Sequence, residues 1–223
     1  MPNVRRSLLI ASIVMAIFIA VNASARDADR ALMLLKEGNE RFVAMKMQHP
    51  NVSIERRADA AVKEHRPFAI VLACSDSRVP VEAIFDRGIG DIFVVRVAGN
   101  IATDPSVIGS IEYAADHLKS PVLVIMGHTG CGAVKAAISG PPLEGDIRAI
   151  QKTIESAAER VKKDQPSLEG DGLIFAVVKE NVLQAGKSLL SRSEEIKERT
   201  EEGTLKIVSA IYDLKTGAIE WLQ

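Results

Sequence analysis

Three short and nearly unbroken apolar runs restrict the fold of this chain more than anything else in it. They are Phe68-Ala69-Ile70-Val71-Leu72-Ala73, Asp91-Ile92-Phe93-Val94-Val95-Arg96-Val97 and Pro121-Val122-Leu123-Val124-Ile125-Met126. A strand with one wet face alternates polar and apolar residues, so runs that do not alternate predict strands covered on both faces. Segments of helical character lie between and after them, at 105–118, 132–138 and 145–164. Strand and helix in alternation predict an α/β fold, with a central, mostly parallel sheet flanked by helices. Ahead of that core, 27–48 carries Ala31, Leu34, Leu35, Phe42 and Val43 at helical spacing, an N-terminal helical arm that Gly38-Asn39 is expected to split in two. Residues 49–66 begin as a loop and turn helical through 58–64. Leu173 to Val178 reads either as a fourth strand or as the opening of another helix. Residues 205–222 read as a C-terminal hairpin with its turn at Lys215-Thr216-Gly217. No repeat, low-complexity stretch or linker divides the chain after residue 25.

The first 25 residues stand apart. Arg5 and Arg6 form a positive start, Ser7 to Val21 is apolar, and Ala23-Ser24-Ala25 fits a small-residue cleavage site, the pattern of a secretory signal peptide. The apolar stretch is shorter than the ~20 residues a membrane span needs. A cleaved leader over 1–25 is therefore expected, with 26–223 folding as a single domain, exported to a bacterial periplasm and without a stable membrane span. Arg5-Arg6-Ser7-Leu8-Leu9 partly resembles a twin-arginine signal, which leaves the export route open. Of 28 basic and 29 acidic side chains, two of the basic ones lie in the leader, so the remainder carries three net negative charges. With no basic stripe, nucleic acid is excluded as a partner. Only two cysteines are present, Cys74 and Cys131. One disulfide would suit an oxidising compartment, but it would leave His128, three residues before Cys131, unexplained.

Cys74-Ser75-Asp76-Ser77-Arg78 follows the first apolar run, and His128-Thr129-Gly130-Cys131-Gly132 follows the third. Open α/β sheets form their sites outside the carboxyl ends of strands, so if those two strands are neighbours, Cys74 and His128 emerge side by side. Cys131 then opens the helix that begins at Gly132, where the helix dipole favours a thiolate. Two thiolates and an imidazole are the ligands Zn²⁺ prefers, and three firm ligands with one contested position describe a catalytic site. Zinc lowers the pKa of bound water to about 7. Asp76 could take the fourth position itself. Alternatively, paired with Arg78, it could orient an oxygen to accept a proton from the bound water. The Ala98-Gly99-Asn100 loop offers backbone amides of Gly99 and Asn100 as substrate contacts, since small residues let main chain approach a ligand; ordinary turn chemistry is the alternative.

Cys74 to Pro80, Arg96-Val97-Ala98-Gly99-Asn100, Tyr113 within Ser110-Ile111-Glu112-Tyr113, and His128 to Gly132 together resemble the β-class carbonic anhydrases. Glu37-Gly38-Asn39-Glu40-Arg41-Phe42 is similar as well, and the likeness runs from about residue 27 to the end of the chain. The resemblance implies one Zn²⁺ per chain, held by Cys74, His128 and Cys131, with Asp76 and Arg78 as a catalytic dyad. It implies reversible hydration of carbon dioxide, held in a small apolar pocket, to bicarbonate and a proton by zinc-bound hydroxide. It also implies a homodimer or dimer of dimers, with the N-terminal helices wrapping the partner subunit. One position departs from the family: a glutamine common nine residues before the first cysteine is replaced by His65. With an unperturbed pKa near 6.5, His65 could contact substrate or shuttle protons; a solvated or packed side chain is the plain alternative. His49 and His117 have no evident role, and Trp221 reads as hairpin packing. Competing functions are hydrolysis of COS or CS₂ by the same chemistry, and a non-catalytic zinc or bicarbonate-binding protein with Asp76 on the metal. A redox thiol protein is disfavoured for want of a Cys-x-x-Cys pair.

Overall fold

The computed structural model describes residues 26–222; the expected signal peptide lies outside the described residues. The strands β1 (Ala69–Ala73), β2 (Ile92–Arg96), β3 (Val122–His128), β4 (Lys206–Tyr212) and β5 (Ile219–Trp221) form one sheet in the order β2-β1-β3-β4-β5. The first four are parallel and β5 runs antiparallel to β4. Every residue of β1 and β3 is buried, which is why their sequences do not alternate. Their side chains nonetheless divide by parity. Ile70, Leu72, Leu123 and Ile125 pack on one face with Ile111, Val182 and Leu189; Ala69, Val71, Val122 and Val124 pack on the other with Ala31, Leu35 and Phe85.

The helices cover both faces. They are α1 (26–43), α2 (Ile54–Val62), α3 (Val81–Ile84), α4 (Pro105–Glu112), α5 (Gly132–Ser139), α6 (Ile147–Asp164), α7 (Gly170–Arg192) and α8 (Glu194–Glu201). α4 passes into a single wider turn, Tyr113–His117. The expected terminal hairpin is formed by β4 and β5, and β4 is also the fourth parallel strand. Residues 173–178 are not a strand: they lie in α7, with Val177 and Val178 buried while Phe175 faces solvent, a one-sided pattern that only a helix gives.

Gly38-Asn39 does not split the arm. α1 runs unbroken through both residues because each serves a tertiary contact. A Cβ on Gly38 would lie 1.8 Å from the carbonyl oxygen of Phe85, so only glycine lets α1 approach this closely. Asn39 donates to the carbonyls of Gly217 (2.8 Å) and Ile84 (3.3 Å) and accepts from the Ile219 amide (3.0 Å). The arm thus lies on its own sheet, where Ala31 and Leu35 enter the core. Trp221 packs in the same layer, its ring 6.3 Å from that of Phe85 and beneath the Lys36 ammonium. α2 by contrast buries no residue and exposes Ile54 and Val62.

Candidate metal centre

β1 and β3 are neighbours with Ala73 level with Met126, so Cys74 and His128 leave the sheet side by side at its carboxyl edge. The strand order turns back at this pair, β2 lying on one side of β1 and β3 on the other, which is where open α/β sheets leave a crevice. Cys131 is the residue from which α5 starts. The two sulfurs and an imidazole nitrogen of His128 all lie within 4.8 Å of one another, and all three residues are buried. The cysteines are free thiols.

His128 Nδ1 lies 3.0 Å from the Thr129 carbonyl. A carbonyl can only accept, so the proton is on Nδ1 and the lone pair on Nε2. That Nε2 is fully buried and has no hydrogen-bond partner, an arrangement that is costly unless something binds it. The hydrogen bond between the two cysteines shifts them in opposite directions. Cys74 is held well below the ordinary thiol range, chiefly by the hydrogen bond from Cys131, against the cost of burial and with help from the Gly99 amide. Cys131 is pushed up by that same bond to Cys74 and then by burial. A divalent cation between the two sulfurs would favour the thiolate form of both. The donor set, two soft sulfurs and one imidazole nitrogen, fits zinc.

Asp76 is engaged by Arg78. Its Oδ1 accepts from the Arg78 backbone N–H and Nε, both at 2.9 Å, and its Oδ2 from a guanidinium nitrogen at 2.7 Å. Arg78 is chiefly what holds the Asp76 carboxyl well below the usual carboxylate range. Asp76 Oδ2 nevertheless reaches within 3.9 Å of His128 Nε2, so the pair stands at the edge of the three donors. The Asp76 side chain is 18% exposed and that of Arg78 57%, which makes the pair the solvent side of the centre.

The loop Ala98–Asn100 closes the other side. Its Gly99, at φ 71°, aims its N–H at Cys74 Sγ (3.3 Å) and its carbonyl at Asn181 Nδ2 (2.8 Å). Asn100 is buried, with Oδ1 beside Gly127 and Nδ2 unpartnered. His65 is not brought to the centre within the chain: it is exposed, in the segment entering the amino end of β1, whereas Cys74 leaves the carboxyl end. Two supporting roles escaped sequence reasoning. Arg96, the one charge ending the apolar β2, donates from Nε to the Cys74 carbonyl (3.1 Å) and from a terminal nitrogen to that of Asp76 (2.6 Å). It stands in the Arg96 to Asn100 motif, where it had no assigned role, and its place at a strand terminus was the available signal. Asn181 sits in a helix far along the chain and carried no comparable signal.

The fold is that of a β-class carbonic anhydrase, and residues 69–219 match the family model described as carbonic anhydrase. The chain belongs to that family, which is zinc-dependent and hydrates carbon dioxide. It is 40% identical over 187 residues to "Carbonic anhydrase 2" of Mycobacterium tuberculosis, spanning 82% of this chain and 87% of that one. To a carbonic anhydrase of Mycolicibacterium smegmatis it is 39% identical, over 83% of this chain and 89% of that one. Among solved structures, the β-carbonic anhydrase CcaA superposes with a TM-score of 0.70 at 28% identity, covering 86% of this chain and 95% of that one. A tetrameric β-carbonic anhydrase from Sordaria macrospora superposes with a TM-score of 0.69 at 26% identity, covering 83% and 93%.

Proposed function

We propose that this protein converts carbon dioxide and water reversibly to bicarbonate and a proton, using one zinc ion held by Cys74, His128 and Cys131. The observation that carries this reading is the engagement of Asp76 by Arg78 beside three convergent donors, which withholds the nearby carboxylate from the metal and leaves a position for water. When bound, zinc supplies a Lewis acid beside which water ionises near pH 7.

The remaining steps fall to the chain's own groups. Asp76 Oδ2 retains a lone pair after accepting from Arg78 and can orient a water by accepting its hydrogen. Because Arg78 keeps Asp76 ionised, the carboxylate orients that proton without retaining it, and the proton passes to buffer. An apolar cleft of about 220 Å³ begins at Ala98 and Gly132, next to the centre, and is walled by Ala133, Ala136, Leu143 and Ile150. Such a lining favours an uncharged, apolar substrate over water. Stopped-flow hydration of carbon dioxide by the purified protein, with bound zinc counted, tests the reading. One zinc per chain with no hydration would overturn it in favour of a zinc-binding protein without catalysis.

The protein further acts, in this reading, as a homodimer or dimer of dimers. Met33, Val52, Ile54 and Val62 are exposed apolar side chains that such an assembly would cover. Light scattering that returns the mass of one chain would refute this. Residues 1–25 act as an export signal, so N-terminal sequencing of the periplasmic protein should begin at Arg26, and a start at Met1 would refute it. Among the described residues no helix is long and apolar enough to cross a membrane.

A further inference from the structure

We propose that Asn181 is a positioning residue of the metal centre: its side-chain amide holds the Gly99 carbonyl and so restrains the backbone at Gly99, which keeps the Gly99 N–H on Cys74 Sγ. The inference rests on the zinc-binding reading above.

Asparagine is a poor residue for the middle of a helix, and a buried amide is costly unless bonded. Asn181 is nevertheless inside α7, 4% exposed, between Val177, Val178, Val182 and Ala185 on the helix's packed side. Its Nδ2 donates to the Gly99 carbonyl at 2.8 Å, across 82 positions of sequence. Gly99 is the residue that most needs such an anchor. Its left-handed φ of 71° is open to glycine without strain, and the same freedom lets its peptide groups swing at little cost.

Gly99 is held from two directions. From α6, Ile154 Cδ1 lies 2.6 Å from where a Cβ would stand, blocking movement that way. From α7, Asn181 takes the carbonyl. The carbonyl belongs to the 99–100 peptide and the N–H to the 98–99 peptide, so holding the first while Ile154 blocks the α-carbon limits the rotation about Gly99 that would turn the N–H from Cys74 Sγ, 3.3 Å away. An N–H on a thiolate withdraws electron density from the sulfur and holds its lone pairs in one direction, so it governs how that ligand binds a metal. Asn181 therefore acts on the metal through Gly99 and Cys74 without touching substrate. It also borders a small cavity of about 130 Å³ shared with Thr103, Ser156 and Gln184, which gives a replacement side chain room.

The test uses the cobalt- and zinc-loaded protein and the substitutions Asn181→Leu and Asn181→Ser, which remove the amide or its reach. Gln184→Leu, one turn along α7 and lining the same cavity, is the control. The sulfur-to-cobalt charge-transfer band should move to longer wavelength in both Asn181 variants, and zinc should pass to a chelator about tenfold faster. Gln184→Leu should match wild type in both. In cadmium-113-loaded wild-type protein, the Gly99 amide proton should couple to the metal through Cys74. Unchanged cobalt bands and zinc release in the Asn181 variants would overturn the proposal, as would equal changes in Gln184→Leu. Lack of cadmium coupling at Gly99 overturns it without any variant. Wild-type protein that binds none of these metals refutes the zinc reading itself, whereas variants that match a zinc-binding wild type refute this inference alone.

Discussion

Gly38→Ala should destabilise the protein, although alanine is the better helix former. In an unbroken helix the change favours folding by about 1 kcal/mol. Here the new Cβ would stand 1.8 Å from the Phe85 carbonyl oxygen and 2.7 Å from its carbon, against an ordinary contact distance near 3.4 Å. The obstacle is backbone and has no rotamer to yield, so α1 and the end of α3 must separate by roughly 1.5 Å. Overpacking of this kind costs about 1–3 kcal/mol. Separation also stretches the three hydrogen bonds of Asn39 one residue away, each with a net value of about 1 kcal/mol. The balance is a loss of about 2–4 kcal/mol, or near 10 °C in Tm for a chain of this size.

Urea unfolding of the zinc-free protein, followed by far-UV circular dichroism at fixed protomer concentration, measures this directly. Gly186→Ala is the matched control: it lies inside α7, where the added Cβ would meet only Ile125 Cδ1 at an acceptable 3.5 Å. That variant should gain about 0.4–1 kcal/mol. If Gly38→Ala is as stable as wild type at an unchanged m value, the close approach of α1 to Phe85 is not what places glycine there.

Arg78→Leu should keep one zinc per chain and lose about 10–100-fold in carbon dioxide hydration, since Asp76 is no longer held off the metal; full activity would remove the pair from the mechanism. Zinc removal by chelation should abolish hydration and lower Tm, with about 4 kcal/mol restored when free zinc reaches a thousand times its dissociation constant. A Tm independent of zinc would contradict a metal site in the folded state. Asp86→Asn should cost about 1.5–3 kcal/mol at pH 7, because the carboxylate accepts from Arg41 and from the amides of Gln48 and His49. Burial tends to raise the Asp86 carboxyl, but those donors outweigh it and hold it below the 3.8 of an ordinary aspartate. A depressed carboxyl stabilises the fold above its unfolded value, so the gap between wild type and variant should close as pH falls below about 3.8. The same gap at pH 3 as at pH 7 would refute the role of charge.

The strands were legible because burial on both faces removes alternation, and β1 and β3 are buried throughout. Leu173 to Val178 stayed ambiguous for a related reason: a six-residue apolar run has the same composition in a buried strand and in a packed helix. Its identity is settled by what covers it, and Val177 and Val178 are covered by elements distant in sequence. Gly38-Asn39 misled because its local preference is to break a helix, while its actual role lies in contacts with Phe85 and, across 178 positions, Gly217. Propensity describes a residue and its near neighbours, and here the partners were out of that range.

The metal centre divides along the same line. Each candidate donor of the centre comes from one of two five-residue phrases, and local spacing made those groups legible. The groups that orient the donors come from elsewhere: Arg96 from β2 grips the Cys74 and Asp76 carbonyls, and Ile154 and Asn181 from α6 and α7 hold Gly99. Even the Thr129 hydroxyl, inside a motif, is spent on the Leu214 amide at the terminal hairpin. Donors and orienting residues should therefore fail differently. Loss of Cys74, His128 or Cys131 leaves a buried site one ligand short and should abolish tight zinc binding. Loss of Arg96 or Asn181 leaves three donors in a looser arrangement, and should grade metal retention without ending it.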